Sequence, residues 1–79
     1  MFTRFLTYDL NNADTDDYQD LYDLIEKYGG KQITESTYKI ISNDNWNTFK
    51  QKFFDVTHLG DNIKAIVYTG KSIDVYTIR

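Results

Sequence analysis

The 79-residue sequence contains no cysteine and no proline, and one residue each of histidine, tryptophan and methionine. Without cysteine there is neither a disulfide framework nor a thiolate metal site. A lone histidine, His58, excludes a multi-histidine zinc centre within one chain. Without proline, no turn relies on a fixed φ. No apolar run approaches the ~20 residues needed to span a bilayer as a helix, so no membrane partner is expected. The N-terminus lacks a basic region followed by a long apolar core, so no signal peptide is expected and the default location is the cytoplasm. Positive charge is also short: the formal net charge is −3 and the pI about 4.8, which argues against a generally basic nucleic-acid-binding surface.

What the sequence has in quantity is aromatic residues, with seven tyrosines and five phenylalanines. The first ten residues use them in a strand-like run, Phe2 to Leu10. Alternation puts Phe5, Thr7 and Asp9 on one face and Leu6, Tyr8 and Leu10 on the other. Asp9 is the one carboxylate in that run and stands beside a polar cluster, Asn11-Asn12-Ala13-Asp14. A strand-end carboxylate next to a loop suits a metal ligand or a proton-transfer group; the competing reading is a solvated strand end.

Tyr18, Leu21, Tyr22, Ile25 and Tyr28 then fall at helical spacing. Asp14 or Thr15 can serve as N-cap, Asp16 and Asp17 complement the helix dipole, and Gly29-Gly30 supplies a left-handed stop. The acids from Asp14 to Asp23 lack the glycine and terminal glutamate of an EF-hand loop and fit capping plus a solvated face. Residues 31–42 read as two strands divided by a bend at Thr34-Glu35-Ser36. Asn43-Asp44-Asn45 gives a turn and an N-cap, and Trp46, Phe49, Phe53 and Val56 mark a second helix. That helix is expected to end near His58-Leu59-Gly60, with His58 as a dipole-compensating cation. Residues 63–68 and 73–78 flank a Gly-containing turn and read as a hairpin, or as one strand and an extended tail that pairs elsewhere.

The order β, α, β, β, α, β with a terminal β extension predicts an α+β fold. It suits a single ferredoxin-like βαββαβ sandwich over residues 1–79 with a C-terminal β extension. One sheet face is then left open, and residues such as Phe5 and Ile73 need cover there. A second copy supplies it most simply, with the C-terminal strand adding to the partner's sheet, so a homodimer is expected.

The string Phe5-Leu6-Thr7-Tyr8-Asp9-Leu10 resembles the opening of the small CRISPR-associated endoribonuclease family, the dimeric small subunit of the spacer-acquisition complex. The likeness continues through Lys27-Tyr28-Gly29-Gly30, Gln32-Ile33-Thr34-Glu35-Ser36-Thr37-Tyr38 and Asp61-Asn62-Ile63-Lys64-Ala65-Ile66. Virulence-associated protein D toxins and SinR-like proteins share the outline. The resemblance implies a ferredoxin-like homodimer of the antiviral-defence type. First-strand aspartates of both copies would meet and bind Mg²⁺ or Mn²⁺ for phosphodiester cleavage of RNA or DNA. Asp9 takes the catalytic and metal-ligand position, and Tyr8 and Ser36 match positions near the cleft. The basic residues are dispersed in sequence, but a fold that gathers Lys27, Lys31 and Lys39 would still present a basic face, and Lys31 is the candidate nucleic-acid contact. The other expectation is an acidic protein-binding module, such as a phage or mobile-element inhibitor that occupies a basic site on a host protein.

Overall fold

The computed structural model describes residues 1–10 and 15–79, with side chains for all of these but 15–17. Its elements are β1 (Phe2–Asp9), α1 (Thr15–Lys27), β2 (Lys31–Thr34), β3 (Thr37–Ser42), α2 (Trp46–Asp55), β4 (Asn62–Tyr68) and β5 (Ile73–Thr77). The five strands form one antiparallel sheet in the order β2-β3-β1-β4-β5. β1 is its middle strand, paired from Phe2↔Ser42 to Thr7↔Thr37 on one side and from Phe5↔Ile66 to Asp9↔Asn62 on the other. The protein is therefore α+β, with both helices on one face of the sheet.

The alternation expected of β1 is the alternation found. Leu6, Tyr8 and Leu10 are buried with Ile40, Ile63 and Ala65 from the other strands and Ile78 from just past β5, and Leu21, Ile25, Phe49 and Phe53 close over them from the helices. Each large apolar side chain buried there contributes about 1.5–3 kcal/mol relative to exposure. Aromatic stacking binds the helix layer: the Tyr28 ring lies 5.5 Å from Phe49 and 5.7 Å from Phe53.

α1 stops where the glycine pair predicts. Gly29 has φ 68°, a conformation glycine adopts without the Cβ clash. Its N–H bonds to the Glu26 carbonyl at 2.8 Å and that of Gly30 to the Ile25 carbonyl at 2.9 Å, the paired pattern of a Schellman stop. Of the expected N-cap pair, Asp14 lies outside the described residues and Thr15 opens the helix; the side chains of Thr15, Asp16 and Asp17 lie outside the description too. α2 is capped by Asn45, whose side chain accepts from the Thr48 N–H at 2.9 Å.

α2 ends earlier than its sequence pattern suggests, at Asp55 rather than near residues 58–60. Val56 continues the apolar spacing because it packs on the core from the turn beyond. A cation does meet this end, and it is Arg79. Its Nη2 donates to the carbonyls of Phe54 and Thr57 at 3.2 and 3.0 Å, its Nε donates to Thr57 Oγ1 at 2.9 Å, and its guanidinium lies 3.8 Å from the Phe54 ring centroid. Periodicity could not reveal this, since the arginine arrives from 22 residues downstream of Thr57.

The hairpin alternative is the one adopted at the C-terminal end. β5 pairs with β4 of its own chain from Lys64↔Thr77 to Tyr68↔Ile73. Among the described residues, no helix is long and apolar enough to cross a membrane.

Phe53 and Phe54 are adjacent but differ in burial, at 0% and 39% exposed. Phe53→Ala is expected to cost about 3–5 kcal/mol in urea unfolding, and Phe54→Ala about 1 kcal/mol.

Candidate functional site

The end of β1 sits between two shallow depressions of about 440 Å³ each. One lies on the α1 side and is lined by Tyr8, Asp9, Tyr18, Tyr22, Glu35 and Ser36, among others. The other opens toward β4 and adds Thr7, Asn62 and Lys64 around Asp9 and Ser36. Three sequence-predicted residues, Tyr8, Asp9 and Ser36, thus come together.

The backbone explains the convergence. The Tyr8 N–H bonds to the Ser36 carbonyl at 3.1 Å, so the β1–β3 ladder carries on into the β2–β3 turn and fixes that turn beside Asp9. The Tyr8 hydroxyl donates to the Glu35 carbonyl at 3.2 Å. Tyr8 also stacks on Tyr38 at 6.3 Å and meets Tyr22 edge-on at 6.2 Å. Burial, followed by its contacts with Tyr22 and Tyr38, pushes the Tyr8 hydroxyl well above the ordinary tyrosine range. It serves here as a hydrogen-bond donor and not as a base.

Asp9 is exposed and its register partner is Asn62. Lys64, which sequence reasoning did not single out, lies opposite Thr7, two pairs further along and on the same face. It donates from Nζ to the Arg79 carbonyl at 2.9 Å while lining the Asp9 depression. Lys31 is elsewhere. It faces Lys39 across the β2–β3 ladder, and Lys39 faces Phe5. Phe5 is four residues from Asp9, roughly 13 Å along the strand. Lys27 lies at the end of α1 and lines a separate depression with Lys52, so the three lysines are not gathered into one patch.

Among the described residues, no group of three or more His, Asp or Glu side chains is placed to hold a metal ion. Asp9 is the carboxylate common to both depressions, and Glu35 joins it in one of them. Mg²⁺ takes one or two protein carboxylates and completes its octahedron with water and phosphate oxygens. Asp9 and Glu35 supply two carboxylates toward such an ion, fewer donors than an all-protein site needs.

No protein-family model, curated protein or solved structure matches the chain. Family does not speak for it.

The strongest polar cluster lies at the other end of the helix layer. The Tyr28 hydroxyl donates to Asp44 Oδ2 at 2.5 Å and Lys52 Nζ to the same oxygen at 3.1 Å, while Arg4 Nη1 donates to the Asp44 carbonyl at 3.0 Å. The hydrogen bond from Tyr28, then that from Lys52, holds the Asp44 carboxyl below its ordinary value of 3.8. Since this value is depressed in the folded state, the stabilisation is complete above about pH 4 and is lost as pH falls through the folded value. Asp44→Asn is expected to flatten the acid limb of a stability–pH curve below about pH 4 and to leave the neutral plateau's shape unchanged, measured by urea unfolding across pH.

Proposed function

We propose that the protein is a ferredoxin-like homodimer that binds nucleic acid on its open sheet face, with Asp9 as the residue through which it would cleave a phosphodiester. Support for the ferredoxin-like reading comes from the strand order β2-β3-β1-β4, in which each helix joins two like-directed strands with a third between them. β5 then extends the sheet beyond β4.

The observation that carries the functional reading is how charge is divided between the two layers. Lys31 and Lys39 are direct cross-strand neighbours on the open face, an arrangement that repels unless an anion lies over it. Lys64 occupies the same face. Asp20, Asp23, Glu26 and Asp55 lie on the helices, where Lys27, Lys50 and Lys52 offset them only in part. An acidic protein thereby keeps a locally basic surface on the β2–β3 side of the sheet, along which a phosphate backbone can track.

The same face has an apolar half suited to a second copy. Phe5, Ile66 and Val75 run straight across β1, β4 and β5, and Ile73 lies opposite Tyr68. Val75 and Ile73 are 62% and 68% exposed, more than an isolated sheet edge tolerates without cover. Two copies joined through this half leave the β2–β3 lysines at the flanks for phosphates. Asp9 shares the face, so two-fold symmetry sets its position relative to its mate. Bound Mg²⁺ or Mn²⁺ would supply charge neutralisation and an activated water. The chain's own part is for Asp9 to hold the ion, for Ser36 to border the scissile group and for Tyr8 to fix the turn behind them.

A second reading has its own observation. Asp20, Asp23 and Glu26 are exposed along α1, an acidic surface able to dock on a basic site of another protein.

Two measurements test the proposal. By light scattering at micromolar concentration, the wild type is expected to be a dimer and Val75→Asp a monomer; a monomeric wild type overturns the homodimer. Labelled single-stranded RNA and duplex DNA are expected to bind with a salt dependence that Lys31→Ala/Lys39→Ala lowers by about 0.7 per lysine on single strands. Metal-dependent cleavage lost in Asp9→Ala assigns the nuclease, and binding without cleavage assigns a scaffold. Absence of binding to either nucleic acid overturns the proposal in favour of the protein-binding reading.

A further inference from the structure

At the end of the sheet away from Asp9, β1, β4 and β5 meet the start of α2 around a cavity of about 490 Å³. It is lined chiefly by Phe2, Arg4, Asn45, Trp46, Thr69 and Tyr76, and it shares no residue with the Asp9 depressions. Arg4 is its unusual member. It occupies the helix-facing row of β1 with Leu6 and Tyr8, where an apolar residue is the default, and it is 4% exposed. Its guanidinium lies 4.7 Å from the Phe2 ring centroid, 4.6 Å from that of Phe49 and 5.9 Å from that of Trp46.

A guanidinium carries five N–H donors, and Arg4 makes one hydrogen bond among the described residues, to the Asp44 backbone carbonyl. The Asp44 carboxylate is committed to Tyr28 and Lys52 instead. Its other donors are not sealed off, since the one buried side-chain polar atom without a partner among the described residues is Ser42 Oγ; the free edge of Arg4 is open to an acceptor that enters from solvent. No carboxylate lines the cavity to provide one. Asn45 uses its side-chain oxygen to cap α2, which leaves its amide N–H₂ as a further donor. The positive end of α2 begins here, and its first turn contains no acid to offset it. The polar part of the cavity is thus rich in donors, and its walls are aromatic, with Trp46 and Tyr76 rings 5.1 Å apart.

We propose that this cavity binds a small aromatic anion, a flat ring against Trp46 and Tyr76 whose oxyanion takes the unused edge of Arg4. The planar guanidinium fork suits two parallel bonds to a carboxylate or phosphate, and aromatic side chains stack a flat ring without demanding its identity. A nucleoside monophosphate and an aromatic carboxylate both have this chemistry. The proposal does not depend on the role of Asp9.

The protein has a single tryptophan, and it lines the cavity as Trp46, so its fluorescence reports occupancy directly. The full chain is titrated with GMP and with phenylacetate, with guanosine and inorganic phosphate as the half-ligand controls. A saturable change is expected with at least one aromatic anion, and binding about ten-fold weaker or more for the half-ligands. Saturation by GMP alone identifies a nucleotide site, and by phenylacetate alone a carboxylate site. Arg4→Lys keeps the charge and loses the fork, and Tyr76→Leu alters one wall at a half-exposed position; each is expected to weaken binding about ten-fold or more. Should Arg4→Lys fail to melt cooperatively, Tyr76→Leu and the half-ligand controls decide. The proposal is overturned if neither anion gives a saturable change up to millimolar concentration, if the half-ligands bind as well, or if Tyr76→Leu binds like the wild type.

Discussion

The fold depends on the two-residue alternation of β1 at the centre of the sheet. A middle strand must satisfy neighbours on both edges, and its two faces must serve two different surroundings. Leu6, Tyr8 and Leu10 belong to the helix-covered side, and Thr3, Phe5, Thr7 and Asp9 to the open side. A one-residue slip in register would exchange these sets. It would bury Asp9 and expose Leu6, so core burial holds the register and thereby fixes where Asp9 stands.

The helix-facing row is interrupted at Arg4, and the structure answers that interruption with aromatic faces more than with charge. Phe2 and Phe49 flank the guanidinium, while Asp44 offers it a backbone carbonyl and gives its carboxylate to Tyr28 and Lys52. Burial lowers the Arg4 pKa from its ordinary value, and Tyr28 and Asp44 offset this only in part. The loop from β3 to α2 is thus tied to β1, to the end of α1 and to α2 by one residue, Asp44. That tie positions Asn45 as the cap of α2 and Trp46 at the rim of the cavity.

The two ends of the sheet carry different chemistry. Around Asp9 the surroundings are polar, shallow and open, bounded by a turn held through Tyr8. Around Arg4 they are aromatic and rich in donors. The open face runs between them, with lysines toward β2 and β3 and aliphatic residues toward β4 and β5. In a chain this small the core alone supplies modest stability, and a large exposed apolar row has no internal use.

By itself the sequence determined what local rules govern. The 3.6 and 2.0 periods placed both helices and all five strands, the glycine pair stopped α1, Asn45 capped α2, and alternation assigned Asp9 to the open face. Tyr8, Asp9 and Ser36 were legible as neighbours through the family resemblance, not through spacing. Other features required the tertiary structure because they join residues distant in the chain. Arg79 reaches back to the end of α2, β5 returns to β4 of its own chain, Lys31 lies opposite Lys39 and away from Asp9, and Arg4 is enclosed by rings from its own strand and from α2. Periodicity reports the face a residue belongs to, but strand order and register choose its neighbours across the sheet, and those choices follow from how the whole core packs.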